Sequence, residues 1–285
     1  MNGNREGRDR PALPSRANVL AAAYAAATTV SVGVFEFSLL SVGIPAALLV
    51  ALLADGIARP GSSLLYPTVT HGSRKGSLVA LSFDDGPDPE MTPLVLDALA
   101  HYGGRATFFT IGRSLQAQPQ LARRLLAEGH ELGNHTWTHS RWQSFFRTRR
   151  QLRDIERGAH VIKALAGSAI ADQAAARARP LFRPPVGIKS PPLVQAAWRL
   201  KLILVAWSLH SRDTRSHDAQ AVAQRVLKKI RPGDIVLMHD GHDVPGRHRP
   251  VCAQALPRIL QGLREKGLRC VTVSELLRAR DGTTP

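Results

Sequence analysis

Two adjacent carboxylates, Asp84 and Asp85, end the run LVALSFDDGPD between Leu78 and Asp88. The apolar and small residues from Leu78 to Phe83 predict a buried strand, and Gly86-Pro87 predicts the turn that stops it. The strand therefore delivers both acids to its C-terminal end, where ligands collect in parallel α/β folds. A strand followed by an ordinary polar turn would read the same way, since Asp-Gly and Gly-Pro are common turn formers. Further residues have to decide. The stretch Gly133 to His139 reads GNHTWTH. Histidines four apart stack on one face of a helical turn, which suits two ligands of one metal. Joined to a strand-end aspartate they make two imidazoles, a carboxylate and an open position, the ligand set of a catalytic zinc. The HExxH pattern of zinc proteases is absent, because Thr136 follows His135 and no glutamate lies between the histidines.

Two more apolar runs end in chemistry. FRPPVG, from Phe182 to Gly187, fixes Arg183 beside a rigid proline pair, where a guanidinium can be held against a carboxylate. Leu237-Met238-His239-Asp240 ends another strand in a histidine able to donate a proton near neutral pH.

The elements that must position these groups alternate. Strands are expected at 78–83, 106–111, 130–134, 182–185, 202–207, 235–238 and 270–273. Helices are expected to open at Thr92-Pro93 and at Ser190-Pro191, to run over 119–128, 148–165, 222–230 and 251–265, and to end the chain at 275–280 behind a Ser274 cap. Residues 166–179, rich in alanine, read as a loop or loose helix. Strands separated by helices predict a parallel sheet, and this many repeats predict a barrel or partial barrel.

Lys and Arg outnumber Asp and Glu by 38 to 22, for a formal charge of +16. The basic residues are scattered and aromatics make up 5%, so no Arg/aromatic strip for stacking single-stranded nucleic acid is present and no nucleic-acid partner is expected. Cys252 and Cys270 are too few for a disulfide framework or a cysteine zinc module. The chain divides into a polar, Arg-bearing tail (1–16), an apolar segment (17–56), a Pro/Gly/Ser-rich linker (57–75) and a catalytic region (76–285). The apolar segment is expected to be a membrane anchor, either one span or a hairpin turning at Glu36, because a charge at mid-bilayer costs roughly 3 kcal/mol. This predicts an inner-membrane protein, with the side of its catalytic region left open by the number of spans.

SFDDGP, HTWTH, FRPPVG and VLMHD occur in this order at strand ends, and the set resembles the polysaccharide deacetylases of NodB homology, carbohydrate esterase family 4, over residues 76 to 275. The resemblance implies a distorted (β/α) barrel with fewer than eight repeats. It implies one divalent metal, usually zinc, on Asp85, His135 and His139. A water on that metal would attack the carbonyl of an N-acetyl group in a glycan or glycolipid, with Asp84 as base, Arg183 orienting it and His239 as acid. The oxyanion would meet the backbone N–H of Val186, and Leu237 would line the acetyl pocket. Three positions depart from the family pattern. Val186 stands where tyrosine is frequent. His210 and Thr214 stand where the pattern has aspartate and tryptophan, which leaves the support of His239 to Asp213 or gives His210 another role. The same residues are compatible with an O-acetyl esterase, a deacylase of a lipid-linked sugar, or a non-catalytic glycan binder.

Overall fold

The computed structural model describes residues 22–27, 29, 39–140, 142, 147–166, 180–242, 244 and 250–280. Its strands are β1 (Thr68–Val69), β2 (Leu78–Asp84), β3 (Thr107–Thr110), β4 (Glu131–Asn134), β5 (Leu181–Phe182), β6 (Ile203–Val205), β7 (Leu209–His210), β8 (Ile235–His239) and β9 (Arg269–Val271). They form one sheet in the order β1-β6-β5-β4-β3-β2-β8-β7, with β9 added against β2. All these pairs are parallel. Helices such as Met91–His101, Pro119–Ala127, Pro191–Arg199 and Pro250–Glu265 carry the crossovers that parallel neighbours require. The result is a parallel half-barrel, in keeping with the distorted barrel expected.

Side chains alternate across a strand, and here the alternation sorts them into an inside and an outside. Ala80, Phe109, Leu181, Val205 and Ile235 share an inner cluster that Val273 and Leu276 of the last helix also join. Val79, Leu81, Phe83, Phe108, Val236 and Met238 pack outward against helices, and so do Phe182 and Leu204 on the other flank. By the same period of two, Asp84 falls on the inner face with Ala80, Arg183 with Leu181, and Leu237 and His239 with Ile235. Phe83 and Phe108 stack with ring centroids 5.0 Å apart. Phe108→Ala should therefore cost about 3–5 kcal/mol of stability in a denaturant titration.

Several expectations need correcting. The expected membrane anchor and inner-membrane location are overturned: no helix among the described residues is long and apolar enough to cross a membrane. The second half of the apolar segment forms a helix, Leu39–Ala58, with Pro45 inside it. Its last turn carries Asp55, ion-paired with Arg59 at 2.6 Å, and docks on the barrel through Ile57 O, which accepts from Lys189 N at 3.0 Å. The turn at Glu36, the tail 1–16 and residues 167–179 lie outside the described residues. The stretch read as a linker contributes β1, whose two residues pair with Leu204 and Val205; such a short strand leaves no periodic signal. The last helix begins at Val273, and Thr272, not Ser274, caps it: Thr272 Oγ1 accepts from Glu275 N while Glu275 Oε2 accepts from Thr272 N. Cys252 and Cys270 are free thiols.

Candidate active site

Asp84 ends β2 and is 4% exposed. Arg183, directly after β5 and wholly buried, donates from Nη1 to Asp84 Oδ1 at 2.6 Å. Its other nitrogens are satisfied by the end of β6: Nε donates to Val205 O at 3.2 Å and Nη2 to Ala206 O at 3.0 Å. The guanidinium carbon lies 4.0 Å from the centroid of the Phe109 ring. The two carbonyls and the ring thus fix the guanidinium against one oxygen of Asp84. Burial would raise the Asp84 pKa, but the charges of Arg183, His135 and His239 outweigh it and hold the carboxyl below its ordinary range. Its Oδ2, 3.7 Å from His135 Nε2, remains directed at the centre of the site.

Asp85, His135 and His139 are all buried, and one ligand atom from each lies within 4.8 Å of the others. Two ligands of a tetrahedral ion at about 2.1 Å stand about 3.4 Å apart; Asp85 Oδ1 is 3.2 Å from His139 Nε2 and 3.6 Å from His135 Nε2. His135 Nδ1 lies 2.7 Å from Arg183 O, so Nδ1 carries the proton and the Nε2 lone pair is left for a ligand bond. Burial and the neighbouring His139 lower the His135 pKa to about 4 against the pull of Asp84 and Asp85, which keeps the ring neutral. The three residues fit a divalent cation.

The histidine pair is not helical, contrary to the expectation from its spacing. His135 and His139 bracket a loop in which Thr136 and His139 have φ of 70° and 50°, and this brings the rings to 4.8 Å between centroids. Asn134 Oδ1 accepts from Thr136 N at 2.7 Å, and Thr136 Oγ1 accepts from His139 N at 3.0 Å. Asn134 and Thr136 thus shape the loop, and neither was singled out from the sequence, although short polar side chains bonding to nearby backbone are the signature of such turns. Asp85, Val186 and Arg212 also have positive φ, at 74°, 51° and 62°. Left-handed non-glycine residues cost free energy and persist where surrounding structure over-determines them; among the described residues all but Lys201 gather around the site.

His239 ends β8. Its Nδ1 is 3.0 Å from Asp213 Oδ1, and its backbone N–H donates to Asp213 Oδ2 at 2.7 Å. Ser211 Oγ and Thr214 N donate to the same carboxylate. Burial would lower the His239 pKa, but Asp213, with smaller help from Asp85 and Asp84, raises it to about 9. Of the two supports left open by the sequence, Asp213 touches His239, whereas the His210 ring centroid lies 6.2 Å from that of His239. His210 Nδ1 accepts from Arg212 N, and burial followed by the His239 charge lowers its pKa.

Val186, 52% exposed, sits in a short turn closed by Gly187 N to Pro184 O and Ile188 N to Pro185 O. Leu237, 3% exposed, lies two residues before His239 on the same inner face of β8. Asp240 was missed. It is buried against Gly86, where a Cβ would stand 2.3 Å from its Oδ2; only glycine permits that approach. Thr92 Oγ1 donates to the same oxygen at 2.5 Å. Burial, joined by Asp85 and Asp88, pushes Asp240 up to about 7 against that hydrogen bond.

Fold and site together are those of a barrel enzyme with a metal-capable centre of acids and histidines at its strand ends. The polysaccharide deacetylase family model matches residues 71–204. A peptidoglycan-N-acetylglucosamine deacetylase of Bacillus cereus is 38% identical over 203 residues, covering 70% of this chain and 88% of that protein. A chitooligosaccharide deacetylase of Sinorhizobium fredii is 36% identical over 206 residues, covering 70% and 92%. The solved structure of peptidoglycan deacetylase PdaC from Bacillus subtilis is similar with a TM-score of 0.61 at 31% identity, over 72% of this chain and 91% of that one. The chain belongs to the polysaccharide deacetylases of NodB homology, the hydrolases of carbohydrate esterase family 4.

Proposed function

We propose that this enzyme removes the N-acetyl group from N-acetylglucosamine units of a glycan, with Asp84 as general base and His239 as general acid. The observation that carries the reading is the opposed preparation of these two groups around Asp85, His135 and His139: Arg183 holds Asp84 ionised, and Asp213 holds His239 protonated. A divalent ion bound by Asp85, His135 and His139 would supply Lewis acidity and lower the pKa of a water at its open position. Asp84 Oδ2 takes the proton of the attacking water, while Oδ1 stays on Arg183. The Val186 N–H is offered to the oxyanion, and Leu237 packs against the acetyl methyl. His239 then gives its proton to the departing nitrogen. Amide hydrolysis needs that step more than ester hydrolysis does, because an amine leaves poorly unless protonated; a histidine raised to about 9 favours N-acetyl over O-acetyl substrates. The Asp213 contact also speaks against a non-catalytic glycan binder, whose support was the altered segment around His210 and Thr214.

The relatives named for peptidoglycan and for chitooligosaccharides support N-acetylglucosamine as the unit acted on. The test is acetate release from chitin oligosaccharides, peptidoglycan strands and acetylated xylan. Release from the first two is expected, abolished by a chelator and restored by a divalent ion. His135→Ala should lose both bound metal, read by elemental analysis, and activity. Release from acetylated xylan alone, or release indifferent to chelator, would overturn the reading.

A further inference from the structure

We propose that residues 57–62, which precede the region matched by the family model, form a strap that holds the loop 183–187 in its working shape, with Lys189 as the positioning residue that ties them together. The inference rests on the proposed role of the Val186 N–H.

Lys189 is 1% exposed, an unusual place for an ammonium group. Its Nζ donates to Pro60 O at 2.8 Å and to Ser62 O, and its backbone N–H donates to Ile57 O at 3.0 Å. One residue therefore grips three carbonyls of the strap. Burial pulls its pKa down to about 8, opposed by Asp55, so the ammonium is kept at a cost that its two bonds to Pro60 O and Ser62 O must offset. The strap touches the loop a second time. Gly187 has φ 73°, and a Cβ there would stand 2.6 Å from Pro60 Cγ and 2.9 Å from Trp207 Cη2. Trp207 in turn lies 5.7 Å from the Arg183 guanidinium, measured from its ring centroid. Beyond the strap the chain is fastened again, by Tyr66 Oη donating to Leu202 O at 3.1 Å and by the pairing of β1 with β6.

Val186 is β-branched and left-handed, a conformation an isolated loop would abandon. The turn's own two hydrogen bonds involve Pro184, Pro185, Gly187 and Ile188. The restraint on its far side comes from Lys189 and Pro60. The strap thus keeps the Val186 N–H aimed, and it does so from a part of the chain outside the matched region.

The test uses the full chain with Lys189→Met, Lys189→Arg and Pro60→Gly, and Leu260→Ala as a control that loosens the outer core away from the site. In Lys189→Met, kcat should fall about tenfold with KM within about twofold, a part of the loss seen when an oxyanion donor is removed outright. Lys189→Arg, which keeps charge and donors, should recover part of kcat, and Pro60→Gly should change kcat in the same direction as Lys189→Met. Hydrogen exchange of the Gly187 and Ile188 amides, whose bonds close the turn, should quicken in both strap variants and not in Leu260→Ala. An unchanged kcat in folded Lys189→Met, a loss matched by Leu260→Ala, or unaltered exchange in Pro60→Gly would overturn the strap. A wild-type chain that releases no acetate would overturn the proposed function instead, and the exchange measurement would still judge the strap.

Discussion

Asp84→Asn should lower kcat about 10²- to 10⁴-fold, the range expected for loss of a general base, while leaving bound metal in place. The amide still offers an oxygen to Arg183 Nη1, so the geometry at 2.6 Å can persist. The negative charge that keeps a fully buried guanidinium solvated is gone, however, and an uncompensated buried charge costs roughly 3–5 kcal/mol. A fall in thermal stability is therefore expected beside the fall in rate. The double variant Asp84→Asn/Arg183→Met separates them. Removing both charges should return part of the stability, because the unpaired buried charge is gone while Val205 O, Ala206 O and the amide at position 84 lose the donor that served them, and none of the activity. Activity in any folded variant lacking the Asp84 carboxylate, with metal content equal to wild type, would contradict the role assigned to it.

Asp213→Asn should move the alkaline limb of the kcat profile downward. With Asp213 in place His239 stays protonated up to about pH 9. Without it, burial is opposed only by the smaller pull of Asp85 and Asp84, so the pKa falls from about 9 toward the ordinary imidazole value of about 6.5, at which the protonated fraction at pH 8 is about 30-fold lower. An amide also cannot accept at both ends. One of the donors now served, the His239 N–H or the pair Ser211 Oγ and Thr214 N, loses its partner. The same pair has a stability signature. The folded pKa of His239 lies above its unfolded value, so its contribution is complete below about pH 6.5 and is lost as the pH rises through about 9. Wild-type melting temperature should decline over that window, and the Asp213→Asn variant should lack the decline. An alkaline limb that stays put in Asp213→Asn would show that His239 is not the proton donor.

The membrane expectation shows where composition misleads. A long apolar stretch is a necessary property of a span, yet its second half is a helix that carries Pro45 and Asp55 and docks by its last turn on Lys189. The HTWTH spacing misleads in a smaller way. Histidines four positions apart suit one helical turn, but the same separation is met by a loop whose left-handed Thr136 and His139 fold the chain back on itself. The two histidines therefore converge for a reason that spacing alone does not reveal.

Much of the site could nevertheless be read from the chain. Apolar runs ending in Asp84, Arg183 and His239 belong to parallel strands, and in a parallel sheet all such ends lie at one rim. Strand periodicity then decides which of their residues face inward. Both are local consequences of residue type, and so they survive without coordinates. Three things are not local. The bond from Arg183 to Asp84 joins residues 99 apart in sequence. The choice of Asp213 over His210 as partner of His239 hangs on the left-handed turn at Arg212. The grip of Lys189 on Pro60 and Ser62 lies in a stretch that reads as linker. Each joins groups that only tertiary packing brings together, and the second also needs a left-handed Arg212 that the surrounding structure must impose. The sequence named the chemical groups and the rim on which they gather, and the tertiary structure chose their partners and aimed them.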